Sequence, residues 1–305
     1  MSNVLKPERR VLVLKLLCEG NSLRSVARLT GVHGATIGRT VLAFGEACRN
    51  LLDDRLRNLD LSHLECDEIW TYVGKKQARL TVDEKAERSD IGDVYLWTAI
   101  DADTKLLATY ALGKRSADMA RRFMTDLASR LTWPTPHESD QHAYLPGGYR
   151  TITQISTDGF AGYPEAVDLA FGPYADYGVL IKSFRNADMN GGYAPSEIVG
   201  TDRRVIKGDI NPRSICTSHV ERNNGTIRTF IKRFARLTNA FSKKFDYLSA
   251  AVAIFAACYN FVWRTRYPDD SGRPGKLRPT AAMMAHVTNR LWTFEELYRE
   301  VIQYG

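Results

Sequence analysis

The chain of 305 residues is long enough to bury a substantial core and to hold two or three domains. Its composition, 44% hydrophobic and 25% charged, is that of an ordinary globular protein, with no internal repeat or low-complexity tract, which excludes fibrous and disordered classes. The net charge of +7 favours a polyanionic partner.

Positive charge is concentrated in two segments. Residues 1–50 carry eight Lys and Arg against three Glu, and residues 203–244 carry eleven Lys and Arg against two acidic residues. Two such blocks predict two separate contacts with a phosphate backbone.

Three further features of the sequence narrow the possible classes of protein. The five cysteines include no CxxC pair, which argues against a zinc ribbon or a disulfide framework and favours free thiols. The N-terminus has no signal-peptide pattern, so a cytoplasmic location is expected. The most apolar run, Leu248 to Trp263, contains Asn260 and is short for a membrane span. We expect it to form a buried core helix, with a dimer surface as the alternative.

Residues 1–55 are predicted to form a helical DNA-binding domain. The segment Leu23 to Leu42 fits a helix-turn-helix, because Ala27 permits a close helix crossing and Gly31 suits the turn. The alternative is a generic helical hairpin. If the motif binds DNA, its second helix would present to the major groove His33, Thr36 and Arg39.

Three strands and a helix are predicted next. The strands are Leu64 to Val73, Val94 to Asp101 and Leu106 to Leu112, rich in β-branched and aromatic residues. Residues 75–92 between the first two are polar and are predicted to form a loop or hairpin tip. A helix from Ala117 to Leu131 follows, with Ser116 as its N-cap.

The second half alternates strands and helices. A strand from Thr151 to Thr157, a helix from Ala161 to Phe171 and a strand from Gly178 to Ser183 precede a Gly-, Asn- and Pro-rich insertion at about 185–215. A helix carrying Glu221 comes after it. The order predicts an α/β fold with a mixed sheet over residues 60–240.

Residues 241–305 are predicted to be helical. A long helix from Tyr247 to Thr265 is followed by a basic loop from Tyr267 to Pro279 and by two short helices.

Three acidic residues are candidate metal ligands. Asp67 lies in the first strand, Asp158 ends the fourth, and Glu221 lies on the later helix. Side chains at strand ends and on a packed helix can converge, and converging carboxylates repel one another unless they bind a divalent cation such as Mg²⁺. Two such ions can promote an in-line displacement at phosphorus.

Each acid also has a purely structural interpretation. Asp158-Gly159 is typical of a plain turn, and Glu68 beside Asp67 could be a strand residue with no role. Asp101 competes as a ligand, although its setting resembles a hairpin turn.

The segment around Glu221 combines this acid with cations. At helical spacing, Glu221, Asn224, Arg228 and Lys232 share one stripe, and an apolar stripe holds Val220, Ile227, Ile231 and Phe234. An amphipathic helix with a solvated charged face is the alternative interpretation.

These segments together resemble the DDE transposases of the IS1 insertion-sequence family. The resemblance covers roughly residues 60–265 and rests on four runs: Glu65 to Gln77, Thr157 to Gly159, Glu221 to Asn224, and Arg228 to Thr238.

The resemblance implies a retroviral-integrase-like, RNase H-type catalytic core. Asp67, Asp158 and Glu221 would hold Mg²⁺ or Mn²⁺, and Arg228 would be the basic residue that follows the catalytic Glu. Asn224 would support a ligand or contact DNA. The cations expected to hold DNA phosphates are Lys232, Arg233 and Arg236.

The implied reaction is nicking that frees a 3′-OH at each end of an insertion sequence, followed by attack of that 3′-OH on target DNA. Double-stranded DNA would be the partner, bound by a homodimer or higher oligomer in the bacterial cytoplasm, at the nucleoid. Two other classes stay open: a metal-dependent DNA nuclease on the same core, and a non-catalytic DNA-binding regulator.

Overall fold

The computed structural model describes residues 5–133, 153–185, 197–235, 239–264, 266–268 and 274–305. Several predicted features lie wholly or partly outside the described residues. They are the DNA contact Arg236, the first residues of the strand at Thr151, the end of the helix at Thr265, and the middle parts of the insertion at 185–215 and of the loop at 267–279.

Three helices open the chain: α1 (Pro7–Cys18), α2 (Leu23–Thr30) and α3 (Gly34–Arg55). Gly31 ends α2 with a φ of 66°, a left-handed conformation that glycine adopts without strain. The two helices predicted around this turn are therefore present.

A six-stranded sheet forms the centre of the molecule. Its strands are β1 (His63–Val73), β2 (Gly92–Asp101), β3 (Leu107–Gly113), β4 (Thr153–Thr157), β5 (Ala175–Arg185) and β6 (Glu197–Lys207). The spatial order is β3-β2-β1-β4-β5-β6. β1, β4 and β5 run parallel, whereas the β1–β2, β2–β3 and β5–β6 pairs are antiparallel. The predicted α/β fold with a mixed sheet is confirmed.

Helices cover both faces of the sheet. On one face, Trp97 of β2 packs against Phe123 of α5 (Ala117–Arg130) and Tyr163 of α6 (Tyr163–Phe171), with ring centroids 5.9 and 5.7 Å apart. On the other face lie α7 (Ser218–Phe230) and α8 (Phe245–Phe261). Their buried cluster with the sheet includes Ile69, Val73, Val94, Leu96, Ile227, Ile231, Phe234, Leu248, Val252 and Phe255.

The helix α8 is core, as expected, because it also packs closely on α3. A Cβ atom at Gly45 of α3 would lie 2.5 Å from the Cα of Ala250, so only glycine permits this approach. The C-terminal helices α9 (Ala281–Met284) and α10 (Phe294–Val301) follow, and α10 returns to the N-terminal helices. Tyr298 of α10 stacks on Phe44 of α3 with centroids 5.7 Å apart.

Regular structure is present in the segment predicted to be a loop or hairpin tip and in the insertion, whose fold the sequence leaves undecided. Residues 75–92 hold a helix, α4 (Val82–Glu87), which begins with a capping box between Thr81 and Glu84. Residues 185–215 contribute β6, whose two β-branched pairs, at 198–199 and at 205–206, flank a polar centre. The loop expected at 267–279 likewise includes part of a short ladder of β7 (Arg266–Pro268) and β8 (Pro274–Leu277).

The prediction that Lys232 continues the helical stripe of Glu221, Asn224 and Arg228 is wrong. The helix α7 stops at Phe230, because Ile231 is extended with φ −115° and ψ 86°, and Lys232 lies in a separate 3₁₀ turn. Thr71 of β1 donates a hydrogen bond of 2.7 Å to the carbonyl oxygen of Arg233 and holds this turn.

All five cysteines are free thiols, as predicted. None of the described helices is both long enough and apolar enough to cross a bilayer.

Candidate metal centre

The candidate site lies where β4 ends beside β1. The β1–β4 ladder runs only from His63 to Cys66 on β1, and Cys66 pairs with Thr157, the last residue of β4. β1 continues to Val73, so its next residues border the chain where it leaves β4 at Asp158. Strand geometry thus brings Asp158 to the edge of β1, beside Asp67 and Glu68.

Three carboxylates meet at this edge. Asp67, Glu68 and Asp158 each offer one oxygen, and these oxygens lie within 4.8 Å of one another. Consecutive strand residues point to opposite faces, so Asp67 and Glu68 meet only because both reach around the open edge. The three acids line a cleft of about 510 Å³, together with Trp70, Tyr95, Arg115, Arg228 and Phe234.

Arg115 bridges two of these acids. Its Nε lies 3.3 Å from Oε2 of Glu68, and its Nη2 lies 3.2 Å from Oδ2 of Asp158. The guanidinium also lies over the ring of Phe160, 4.2 Å from the centroid. This cation offsets part of the negative charge of the cleft.

The remaining repulsion is visible in the pKa values. The pKa of Asp67 is raised to about 6, mainly by burial and also by the charges of Asp158 and Glu221, against the lowering effects of the Glu68 amide and Arg228. Burial, together with the nearby Asp158, raises the pKa of Glu68 to about 7 against the lowering effects of the Tyr163 hydroxyl and Arg115. These shifts show that the acids are crowded and poorly hydrated.

The donors fit a hard divalent cation. Glu68 has a side chain only 2% exposed, and Arg115 and the buried Tyr163 hydroxyl offset only part of the cost of burying its charge, since its pKa stays raised. A buried carboxylate whose charge is only partly compensated is stabilised further by a bound cation. Mg²⁺ and Mn²⁺ take carboxylate oxygens as ligands, so this group of three acids could hold such an ion.

Glu221 lies outside this group of three acids. It is in the first turn of α7, and its carboxylate accepts a hydrogen bond of 2.6 Å from Thr217 and pairs with Lys182 of β5. It is still close enough for its charge to raise the pKa of Asp67. Arg228, two turns further along α7, lines the cleft itself.

Asn224 supports Asp67. Its Nδ2 donates a hydrogen bond of 2.7 Å to Oδ2 of Asp67, and the residue is only 2% exposed. Of the two roles expected for Asn224, this placement favours support of the candidate metal ligand Asp67 over contact with DNA.

Glu65 fixes α7 on the sheet. Its carboxylate is 3% exposed and accepts hydrogen bonds of 2.7 and 2.9 Å from the backbone N–H groups of His219 and Val220. These amides belong to the first turn of α7, where a carboxylate satisfies free donors and complements the helix dipole. Glu65 and Asp67 share a face of β1, so one strand holds α7 at two points.

The predicted DNA contacts differ in exposure. His33 and Arg39 are exposed on the first turns of α3, and Thr36 is half-buried between them. His33 also caps α3, because its Nδ1 accepts from the amide of Ala35 at 3.3 Å. Lys232 is exposed, whereas Arg233 is half-buried and its guanidinium donates to the carbonyl oxygen of Tyr247.

Sequence reasoning missed three residues of this site. Glu68 was considered only as a strand residue without a role, and Glu65 and Arg115 were not considered. The signal for Glu65 and Glu68 was the run of three acids in four positions of a buried strand. Asp101 is a turn residue, because it accepts from the amide and hydroxyl of Thr104, each at 2.8 Å.

Fold and site together define a class: an α/β protein with a six-stranded mixed sheet and a carboxylate cluster able to hold a metal ion. No protein-family model matches the chain, and no curated protein sequence matches it either.

Proposed function

We propose that the chain is a divalent-metal-dependent DNA transposase with an RNase H-like catalytic core. The mixed sheet is compatible with such a core. One observation carries the proposal: Asp67 and Asp158, two acids of the expected triad, meet at the end of β4 in a cleft that Arg228 also lines. Acids that converge beside a cation suit chemistry at a phosphodiester.

Asp67, Glu68 and Asp158 are the residues that would hold the cation, and Glu221 is the proposed further ligand. Mg²⁺ or Mn²⁺ bound there would supply positive charge at the attacked phosphate and would acidify the attacking hydroxyl. Asn224 orients Asp67, and Glu65 fixes the helix that carries Glu221.

The reaction has two displacements at phosphorus. In the first, a water oxygen bonds to the phosphorus at the element end, and the bond to the 3′ oxygen breaks, which leaves a free 3′-OH. In the second, that 3′-OH attacks a phosphodiester of the target, and a target 3′-OH leaves. Arg228 contacts phosphate oxygens in both steps, since a guanidinium pairs well with them.

The remaining basic residues bind DNA outside the cleft. His33, Thr36 and Arg39 on α3 would enter the major groove of the element ends. Lys232, Arg233 and Arg236 would hold the phosphate backbone, although Arg233 must first leave its contact with Tyr247. Two element ends must meet one target, so a dimer or higher oligomer on DNA is part of the proposal.

The test is strand joining on a labelled duplex that carries the flanking inverted repeat, with Mg²⁺ or Mn²⁺. Wild type is compared with Asp67→Ala, Asp158→Ala and Glu221→Ala, and with Asp103→Ala, an exposed acid outside the cleft, as the matched control. We expect joined product from wild type and from the control only.

Other outcomes separate the alternatives. Specific cleavage without joining would identify a nuclease on the same core. Metal-independent binding with neither product would identify a DNA-binding regulator. Full joining by Asp158→Ala would remove Asp158 from the catalytic set.

A further inference from the structure

The cleft has an aromatic wall beside its acids. Trp70 follows Glu68 by two positions on β1, so both side chains point to the same face of the strand. Tyr95 of β2 lies directly opposite Trp70 in the antiparallel register, and both residues line the cleft. Both rings are only half-buried. A contiguous group of partly exposed aromatic rings beside polar residues is typical of a ligand-binding groove.

The aromatic surface continues away from the acids. Tyr72 lies 5.7 Å from Trp70, and Phe241 stacks on Tyr72 with ring centroids 4.8 Å apart. The exposed Lys76 places its ammonium 5.6 Å from the ring of Trp70 and 5.9 Å from that of Tyr72. Three neighbouring rings, with one cation over two of them, therefore extend from the acids of the cleft.

We propose that Trp70, with Tyr95, forms a stacking site for an unpaired nucleobase next to the phosphate that reacts at the acids. The inference rests on the proposed function, because a nucleic acid must enter the cleft. A strand rises about 3.3 Å per residue, so the ring of Trp70 stands about 7 Å from Glu68 along β1. That offset leaves room for a base beside a phosphate held at the carboxylates.

The charges around the cleft favour a nucleic-acid strand over an apolar peptide. An apolar peptide would gain nothing from Lys76 over one face of the Trp70 ring or from Arg228 in the cleft, whereas a nucleotide offers a flat base to the rings and a phosphate to the cations. Every base has a π-face, so this site would select unpaired bases without reading their sequence. A base must leave its pair to reach Trp70, which links the site to frayed or opened duplex ends.

The test measures whether bases, apart from backbone, contribute to binding. A short single-stranded thymidine oligonucleotide is compared with an abasic oligonucleotide of the same length, titrated against the full chain with Mn²⁺. Backbone contacts to the two probes are the same, so the ratio of their dissociation constants reports stacking alone. We expect thymidine to bind about 5- to 150-fold more tightly than the abasic strand.

Substitutions locate the stacking. Trp70→Ala should bring the ratio close to one, and Trp70→Phe should keep an intermediate ratio because a smaller ring remains. Trp133→Ala is the matched control: this tryptophan is 38% exposed and packs on Phe171, outside the cleft, so the ratio should stay at the wild-type value. Melting temperatures of all variants report whether they fold, and Trp70→Phe keeps the test informative if Trp70→Ala does not.

A wild-type ratio near one would overturn the stacking site, as would an unchanged ratio in Trp70→Ala. Either result leaves metal-dependent strand joining intact, so failure of this inference and failure of the proposed function are separate observations.

Discussion

One side-chain amide, that of Asn224, donates to Oδ2 of Asp67, while the backbone amide of Glu68 donates to Oδ1 at 2.8 Å. Asn224 is buried, and its Nδ2 lies 2.7 Å from Oδ2 of Asp67, while its Oδ1 lies 3.5 Å from the hydroxyl of Thr98. We expect Asn224→Ala to lower strand joining about 10- to 100-fold, because residues that orient a metal ligand have effects of this size. Metal-dependent joining rates on the inverted-repeat duplex measure the loss.

The neighbouring residue is the matched control for this change. Asn223 is also buried, at 3% exposure, but its side-chain nitrogen and oxygen have no hydrogen-bond partner among the described residues. Asn223→Ala should therefore keep joining near the wild-type rate. Equal losses in the two variants would mean that helix packing, and not the bond to Asp67, causes the effect.

Glu68 makes the stability of the metal-free protein depend on pH. Burial first, and then Asp158, raises its pKa from 4.5 to about 7. A raised folded pKa means that the folded state holds the proton more tightly than the unfolded chain. The contribution of Glu68 to stability is therefore complete below about pH 4.5 and is lost as the pH rises through 7.

We expect the free energy of unfolding in EDTA to fall by on the order of 2 kcal/mol from this group between pH 5 and 8. Glu68→Gln should flatten that part of the profile, as measured by urea denaturation at each pH. Glu295→Gln is the control, because Lys15 lowers the pKa of this exposed acid and it stays ionised across the window. An unchanged slope in Glu68→Gln would assign the pH dependence to another group.

At the level of single residues, the sequence predicted Asp67, Asp158 and Arg228 in one place but not Glu68 or Arg115. Because side chains alternate along a strand, the sequence places Asp67 and Glu68 on opposite faces. It therefore does not predict that their carboxylates meet at the edge of β1. That edge is open because β4 ends at Thr157, as predicted, while β1 continues to Val73 beside it. No local pattern encodes that these two strands are neighbours. Arg115 is distant in sequence from both of its partners and carries no motif.

Among the elements, α7 and the turn that follows it are held by β1 at three positions of one strand face. Glu65 caps the first turn, Asp67 bonds to Asn224 in the middle, and Thr71 holds the turn after the helix. A helix rises 1.5 Å per residue and a strand about 3.3 Å. The distance between two residues on the same face of β1 therefore equals the length of four to five residues of α7. The register of α7 on β1 thus sets where Glu221 stands relative to Asp67.

Substitution of Glu65 tests whether this residue fixes the register of α7 on β1. We expect Glu65→Ala to lower the free energy of unfolding by about 1 to 3 kcal/mol, because two buried amides lose a charged acceptor. Glu65→Gln keeps one carbonyl oxygen as an acceptor and should lose less. Urea denaturation measures both variants.

The exposed N-cap of α4, Thr81, provides the reference for the stability lost in Glu65→Ala. Thr81→Ala removes a surface N-cap and should cost about 1 kcal/mol or less. If Glu65→Ala proves no more harmful than Thr81→Ala, Glu65 does not anchor α7.

Element prediction failed at one of the two edges of the sheet, because the edge strand β3 was predicted within one residue whereas β6 was not. The central strands β1 and β2 and the helices α5 and α8 carry strong β-former or helical patterns and were predicted within a few residues. β6 was not predicted, because Gly, Asn and Pro dominate residues 185–215 and its apolar pairs stay exposed, with Ile198 50% and Ile206 49% accessible. This edge strand buries little, so its sequence shows no alternation of buried and exposed positions.

At the scale of the whole molecule, the two ends of the chain share one buried core. Leu297 and Val301 of α10 are fully buried in the same cluster as Val13 and Leu14 of α1. Ion pairs join Lys15 to Glu295 and, at 3.2 Å, Arg55 to Glu300. The N-terminal helices therefore gain stability from the last helix, although almost the whole chain separates them.

This coupling predicts that a change in α10 loosens α1 and α3. We expect Leu297→Ala to destabilise the protein by about 2 to 5 kcal/mol, since a buried leucine leaves a cavity. Hydrogen exchange should then speed up in α1 and α3 as well as in α10. Leu291→Ala is the matched control, because this leucine is 41% exposed and its loss should change stability by no more than about 0.5 kcal/mol. Faster exchange in α10 alone would show that the N-terminal helices are stable without it, so that the proposed DNA-reading face of α3 could move independently of the sheet that carries the acids.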